Sequence, residues 1–350
     1  MKYINNVLKQ FKYKIGVAKG NGYGHDAHII IPLLVKNGCN VIALARFDEC
    51  VECYEILKKI GKQKQIIVFC LGIIDDSDVK IAIKYGITIP VANFEQVQRY
   101  AKLNVKGLKV HWKLNTGMNR IGFKEEKELI ESYKILNKHG IINYGVFSHI
   151  YDNNNLSKME KQFQKFETLL KKIPNWKKIP IISLRASGGI LSYIKKEIPK
   201  KDWETGARYG EWILSDYDKD CFNTFQLVSN VIQINKLVPN ENVGYDSKYT
   251  SKKNEHVALI PLGWGDGFSR EFKNGKVLVN GKYCPIVGKI SMDSMAIAVD
   301  DNVKVGDKVY VFKDFEHAIT YLTDKTDVAN IIAALCALTK RIPRVAVKKF

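Results

Sequence analysis

Apolar and polar positions alternate between two periods through the first part of the chain. Residues 14–19 (KIGVAK) form a short β-rich run, and residues 25–36 follow with helical spacing, stopped by Asn37-Gly38. The couplet recurs: strand at 41–45 and helix at 48–60 before Gly61; strand at 65–71 and helix at 77–85 before Gly86; strand at 87–92 and helix at 95–103. It continues with strand 109–114 and helix 125–138, strand 143–148 and the strongly amphipathic 158–172, strand 179–184 and a short helix at 190–194, and a last strand at 208–214. About eight strand-then-helix units in roughly 200 residues predict a parallel sheet with right-handed crossovers, closed into a (β/α)8 TIM barrel. A doubly wound open sheet competes, but its Gly-x-Gly-x-x-Gly fingerprint is missing after the first strand.

The pattern then changes. Short β runs at 228–237, 257–262, 276–279, 283–290, 295–299 and 307–312 are punctuated by Pro239-Asn240, Asn274-Gly275, Asn280-Gly281 and Gly306-Asp307. A helix at 328–338 and a β-like tail follow. The expected division is a barrel over 1–222 and a mainly β C-terminal domain over 223–350. No internal repeat beyond the βα alternation and no low-complexity segment is present.

Composition narrows the class. The chain has 350 residues, 46% hydrophobic and 26% charged, which excludes wholesale disorder. No apolar run approaches the roughly 18–20 residues of a membrane helix. The first residues, MKYINN, carry no apolar signal core, so the expected compartment is the cytoplasm. Seven scattered cysteines (39, 50, 53, 70, 221, 284 and 336) read as reduced thiols, and Cys50 and Cys53, spaced i, i+3, as ordinary helix residues rather than half a zinc site. No metal site is expected. The net charge of +19 comes from short Lys pairs spread along the chain, which reads as solvated helix faces rather than a nucleic-acid or membrane surface.

Unusual polar residues fall at predicted strand ends, where a (β/α)8 barrel builds its active site. Lys19 ends the first strand, Lys113 the fifth, with Gly117-Met118-Asn119-Arg120 beyond it, and His149 the sixth. Arg185, Ser187, Gly188 and Gly189 follow the seventh, and Arg208, Tyr209, Gly210 and Glu211 lie in the eighth. A lysine in an enclosed site forms a Schiff base, and Ser-Gly-Gly with open backbone N–H groups cradles phosphate. Pyridoxal 5′-phosphate, an aldehyde bearing a phosphate, uses both. Each residue alone has a plainer reading: a solvated loop lysine, a flexible turn, a packed barrel histidine. Their convergence on one rim favours the joint reading.

The motif Val17-Ala18-Lys19-Gly20-Asn21-Gly22-Tyr23-Gly24-His25 closely resembles the cofactor-lysine signature of the alanine racemase family. Lys113-Leu114-Asn115-Thr116-Gly117-Met118-Asn119-Arg120, Arg208-Tyr209-Gly210, Val243-Gly244-Tyr245-Asp246-Ser247, Pro261-Leu262-Gly263-Trp264-Gly265-Asp266-Gly267, Gly288-Lys289-Ile290-Ser291-Met292-Asp293 and Arg341-Ile342-Pro343-Arg344 match further family segments in order. The resemblance implies a homodimer with shared active sites that interconverts L- and D-alanine. Lys19 would carry the coenzyme and act as one base, and Tyr245, from the second subunit, would be the opposite base. Arg208 would face the pyridine nitrogen, and His149 would stack beside the ring. Tyr23, Ser187, Gly210 and Glu211 would hold the phosphate. Arg120 and Met292 would meet the substrate carboxylate. Lys113 corresponds to a lysine that is carbamylated in the family, a state in which it would pair with Arg120.

Three departures bear on substrate. The family's His-x-x-Asn-Ser is Ser183-Leu184-Arg185-Ala186-Ser187 here, so the histidine that supports the strand-eight arginine is absent. Trp264 replaces a tyrosine, and Lys340 stands where a tyrosine usually precedes Arg-x-Pro-Arg. Lys340 would bind phosphate, or else admit serine or an acidic side chain in place of alanine. The chain also starts close to its first barrel strand, so the β domain is expected to lack one strand. A related barrel decarboxylase and a non-enzymatic scaffold are the competing readings; the Tyr245 segment argues against the first and Lys19 against the second.

Overall fold

The structure is a computed structural model that describes residues 8–210, 225–322 and 329–347. The chain forms two compact units. One comprises Met1–Gly22 and Asp26–Ile213, the other Tyr23–His25 and Leu214–Phe350.

Eight parallel strands build the first unit: β1 (Tyr13–Val17), β2 (Val41–Leu44), β3 (Ile67–Cys70), β4 (Ile89–Val91), β5 (Lys109–Lys113), β6 (Ile142–Phe147), β7 (Ile181–Ser183) and β8 (Gly206–Tyr209). They pair as β3-β2-β1-β8 and β4-β5-β6-β7. Hydrogen bonds close both seams. Cys70 N–H donates to Thr88 O (2.9 Å) and Thr88 N–H to Val68 O (2.9 Å); Thr205 N–H donates to Ile182 O (3.1 Å) and Arg208 N–H to Arg185 O (3.0 Å). The sheet is therefore a closed barrel. β2 and β4 are buried along their whole length, which explains their continuous apolar sequences.

Seven helices follow the strands: α1 (Ala27–Lys36), α2 (Phe47–Lys59), α3 (Val79–Tyr85), α4 (Phe94–Tyr100), α5 (Glu126–Lys138), α6 (Leu156–Lys172) and α7 (Ser187–Ile194). α6 shows why spacing identifies a helix: Met159, Phe163, Phe166, Leu169 and Leu170 are buried while its lysines are not. Several boundaries shift by a residue or two, β8 among them, which starts at Gly206 rather than 208, and two further shifts bear on the site. β1 stops at Val17, because Lys19 opens a tight turn instead of ending the strand. α7 starts at Ser187 rather than 190, because Ser-Gly-Gly is the first turn of the helix and not a separate loop. Cys50 and Cys53 lie on α2 and are buried.

The second unit is built on a seven-stranded sheet in the order β10-β13-β16-β15-β14-β17-β9. Its strands are β9 (Leu227–Asn230), β10 (Gln233–Leu237), β13 (Glu255–Ile260), β14 (Lys276–Val279), β15 (Lys282–Val287), β16 (Met295–Val299) and β17 (Lys308–Phe312), all paired antiparallel. A hairpin of β11 (Asn242–Val243) and β12 (Tyr249–Thr250) stands apart. Phe268, Phe272, Phe312 and Tyr321 pack edge-on in its core, with centroids 5.2 Å apart for Phe268–Phe272 and for Phe312–Tyr321. The run 228–237 is split, since Val231 and Ile232 leave β9 to bond Asp307 and Leu259 (2.9 Å each). α8 (Phe315–Ile319) was not expected, and α9 (Ala329–Ala337) falls inside the expected 328–338. The expected β-like tail forms no strand among the described residues. The carbonyls of Leu338, Thr339 and Ile342 accept from the Arg344 guanidinium instead.

Candidate active site

Lys19 stands at the mouth of the barrel on an unusual turn. Gly20 (φ 61°), Asn21 (φ 54°), Gly22 (φ 65°) and Tyr23 (φ 55°) are consecutive left-handed residues. Such a run costs roughly 1–2 kcal/mol for each residue with a Cβ, and glycine at two of the four positions relieves half of it. Specific bonds hold the rest. Gly22 N–H donates to Ala18 O (2.9 Å), Asp26 N–H to Asn21 O (3.0 Å), and Ala27 N–H to Asn21 Oδ1 (2.9 Å). Glu49 of α2 accepts from Gly20 N–H (2.6 Å) with one oxygen, and from the Ala45 and Arg46 N–H groups (3.0 and 3.1 Å) with the other. The exposed Lys19 side chain therefore leaves a backbone fixed in a strained conformation, the kind that clusters at active sites.

Four cations meet around His149. Burial, and then Arg208, Lys113, Arg120 and Lys19, push its imidazole down to about 3, so the ring is neutral at pH 7. Arg208 is 4% exposed, and burial lowers it to about 10. One terminal nitrogen donates to Ser183 O and Ser183 Oγ (2.9 Å each), the other to Ser148 O and to Leu184 O (3.2 Å). Lys113 is 5% exposed, with Nζ 4.2 Å from the centre of the Phe147 ring. Burial first, then Arg208 and Arg120, hold its amine well below the usual lysine range. Among the described residues no carboxylate pairs with Lys113, Arg120 or Arg208. Buried positive charge is unfavourable unless an anion joins it, so the mouth around Lys113 and Arg208 suits an anionic ligand.

Local structure aims these groups. Asn115 N–H bonds Phe123 O (2.8 Å) and Phe123 N–H bonds Lys113 O (2.9 Å), closing the loop that carries Arg120. Asn115 Oδ1 also accepts from Gly117 N–H (3.1 Å) and Asn119 N–H (3.0 Å). Gln162, buried on α6, donates to Thr116 Oγ1 (2.9 Å) and His149 O (3.2 Å) and accepts from Tyr151 N–H (3.0 Å), tying the loops after β5 and β6 together. Thr116 in turn bonds Ser148 Oγ (2.9 Å), whose backbone oxygen receives Arg208. Ser187 and Gly188 open α7, and Ala186 at its N-cap offers no side-chain bond, so the first-turn N–H groups have no cap to serve. An uncapped helix start on a cation-rich rim suits the phosphate of pyridoxal phosphate. Gly210 is the last described residue here; Glu211 lies outside the described residues.

The second unit holds the other expected groups. Tyr245 sits in a short turn between β11 and β12 and is 68% exposed. Asp246 beside it has φ 59° and pairs with Lys289. Met292 is 49% exposed and Trp264 42%. Their two motifs are knit together: Trp264 N–H donates to Ser291 O (3.0 Å) and Gly265 N–H to Met292 O (2.8 Å). A Cβ on Gly263 would overlap Met292 O, so only glycine permits this approach. Arg341 clamps both, with Nη2 2.7 Å from Asp293 and Nε 3.2 Å from Asp266. Arg344 donates to Gly24 O (3.0 Å), placing the chain that carries Tyr23 against the closing motif. Lys340 is exposed.

Sequence reasoning missed Ser183, Ser148, Gln162 and Glu49, which hold the expected residues in place. Only Ser183 had a signal: it occupies the position of the family's absent histidine, and its hydroxyl takes over the support of Arg208.

Comparison with known proteins agrees with this geometry. Residues 2–213 match the model of the alanine racemase N-terminal domain and residues 224–346 that of the C-terminal domain. Alanine racemase 1 of Clostridium acetobutylicum is 33% identical over 352 residues, covering 95% of this chain and 89% of that one. An alanine racemase of Streptococcus pneumoniae is 28% identical, covering 96% and 92%. Among solved structures, alanine racemase from Clostridium difficile 630 superposes with a TM-score of 0.80 at 28% identity, covering 97% of this chain and 90% of that one. The Bacillus anthracis enzyme with bound L-Ala-P, at 23% identity and a TM-score of 0.83 over 99% and 92% of the two chains, shares the fold. Matched over nearly its whole length, from the Lys19 turn to the Arg341–Arg344 motif, this chain belongs to the alanine racemase family.

Proposed function

We propose that this protein is a pyridoxal 5′-phosphate-dependent alanine racemase that supplies D-alanine for peptidoglycan. Lys113 and Arg208, both buried against the Phe147 ring beside a neutral His149 and neither paired with a carboxylate among the described residues, carry the reading. When bound, the coenzyme supplies the electron withdrawal that makes the substrate's Cα–H acidic. Lys19 holds the coenzyme and moves a proton at Cα on one face. Tyr245 of a second copy does so on the opposite face, which racemisation requires. The 68% exposure of Tyr245 and 49% exposure of Met292 support their presentation to another chain, and we propose a homodimer with shared sites.

Arg208 spends both terminal nitrogens on backbone carbonyls and Ser183, which fixes its guanidinium. A guanidinium does not surrender its proton, so it keeps the ring nitrogen unprotonated and restrains side reactions such as transamination. His149, being neutral, stacks on the ring without adding charge. Ser187, Gly210 and the α7 amides take the phosphate; Tyr23 and Glu211 join them on the family resemblance alone, and Lys340, a departure from the family pattern, on its charge. Arg120 and Met292 orient the substrate carboxylate. Lys113, whose amine burial and Arg208 hold well below the usual lysine range, is the candidate for carbamylation.

The described cysteines are free thiols and five of the six are buried, which supports a reducing, cytoplasmic compartment. No helix among the described residues is long and apolar enough to cross a membrane. Trp264 and Lys340, two of the three departures from the family pattern, are where a serine or acidic preference would arise. A racemisation screen of purified protein against alanine, serine, lysine, aspartate and glutamate tests the substrate. Alanine should be turned over fastest; preference for an acidic substrate would replace this reading with the alternative.

A further inference from the structure

We infer that Arg185, paired with Glu204, is a positioning residue that aims the first turn of α7 at the coenzyme phosphate. The inference rests on the proposal that this turn is the phosphate cradle. An arginine two residues before Ser187 invites the simpler idea that it binds the phosphate itself. The structure argues otherwise, because its side chain is fully buried and its nitrogens are spent on protein acceptors. Nε lies 3.0 Å from the Glu204 carboxylate, Nη1 donates to Gly189 O (2.9 Å), and Nη2 to Pro199 O (2.7 Å). The guanidinium carbon sits 4.7 Å from the centre of the Phe163 ring and 5.5 Å from that of Tyr193. Glu204 also accepts from Lys201 N–H (2.9 Å).

These contacts join α7, the Pro199 segment and the Glu204 segment through one side chain. Gly189 is the third residue of α7, and its carbonyl is gripped by Arg185 and by Ser192 Oγ (2.9 Å). The helix has no cap at Ala186, so this grip, made from beneath, sets the direction of its first N–H groups. The backbone carbonyl of Arg185 meanwhile accepts from Arg208 N–H (3.0 Å) at the barrel seam. One residue thus fixes both the phosphate turn and the start of the Arg208 side chain. A buried ion pair is weak evidence for stability, since apolar residues of similar size often serve as well. What apolar residues cannot do is present a planar fork to three acceptors in different segments, and lysine, a single point donor, cannot do it either.

The test uses full-length protein stripped of coenzyme and titrated with pyridoxal 5′-phosphate and, separately, with pyridoxal, which lacks the phosphate. The wild type should favour the phosphorylated form by on the order of 100-fold or more, the yield of one or two charge-assisted hydrogen bonds. Arg185→Lys keeps a charge opposite Glu204 and should cost roughly 10-fold in affinity for the phosphorylated form while leaving pyridoxal binding unchanged. The double variant Arg185→Met with Glu204→Met removes the pair without stranding a charge; it should keep a near-wild-type Tm and show the same selective loss. A folded double variant that retains the wild-type preference overturns the inference, as does an equal loss for both ligands, the mark of a merely structural role. A wild type that binds the two ligands equally refutes instead the assignment of the cradle to phosphate.

Discussion

The mouth of the barrel and the turns of the second unit treat charge in opposite ways. In the first, Lys113, Arg208 and His149 are sunk into the barrel mouth with no carboxylate among the described residues beside them. In the second, cations are matched: Arg341 with Asp266 and Asp293, Lys289 with Asp246, Lys282 with Asp300. The second unit's candidate groups, Tyr245, Met292 and Trp264, are exposed on tightly knit turns. The contrast teaches that the barrel mouth gathers buried cations that an anionic ligand would match, whereas the second unit's turns pair theirs and offer surface. Preorganised charge is effective in catalysis because it needs no rearrangement when the reaction occurs.

Removing the reactive group of the first unit should have the largest effect. Lys19→Ala should lower racemisation by about 10⁴-fold or more and abolish borohydride trapping of the coenzyme, with Tm nearly unchanged because the side chain is exposed. Normal turnover by this variant would remove the barrel rim from the mechanism. Tyr245→Phe probes the second unit and should cost about 10²–10³-fold, chiefly in isotope exchange from one enantiomer. Equal loss in both directions would mean that the exposed turn is not the opposite base.

The smallest effect sharpens the contrast in charge. His111, stacked on Phe147 with ring centres 4.3 Å apart, and His149 are each held near about 3, against an ordinary 6.5, by burial first and neighbouring cations second. Below pH 6.5 the unfolded chain therefore binds protons that the folded barrel refuses. The histidine contribution to stability is complete above that pH, declines as pH falls toward 3, and is lost below it, with a slope of at most roughly 1.4 kcal/mol per pH unit per histidine. Hydrogen exchange between pH 6.5 and 4 should show the first unit loosening before the second, whose Asp246 is held below the usual carboxylate range by Lys289. His149→Gln should flatten part of that decline; an unchanged slope would show that the ring is not shielded as described.

Much of this was legible without coordinates because it is local. Periods of two and 3.6 identified the barrel strands and most helices, and glycine-rich motifs marked Lys19, Arg120 and Arg208. Errors fell where chain partners decide the outcome. Ser187-Gly188-Gly189 read as a turn because glycine disfavours helices, yet Arg185 and Ser192 hold Gly189 O in one. The tail read as a strand because valine and isoleucine favour sheets, yet its carbonyls serve Arg344. Of the supports of Arg208, Ser183 was marked only by the missing family histidine, and Ser148, 60 residues away in sequence, was invisible.

By itself, then, the sequence determined the elements, their order and the chemical types at the strand ends, since backbone preference and side-chain period act over a few neighbours. Only the tertiary structure decided that Lys113, His149 and Arg208, drawn from three strands of a ring, meet in one mouth, with the exposed Lys19 and Arg120 near its rim. Burial and Coulomb interactions act through space, and closing a sheet at two seams places side by side residues that the chain keeps far apart.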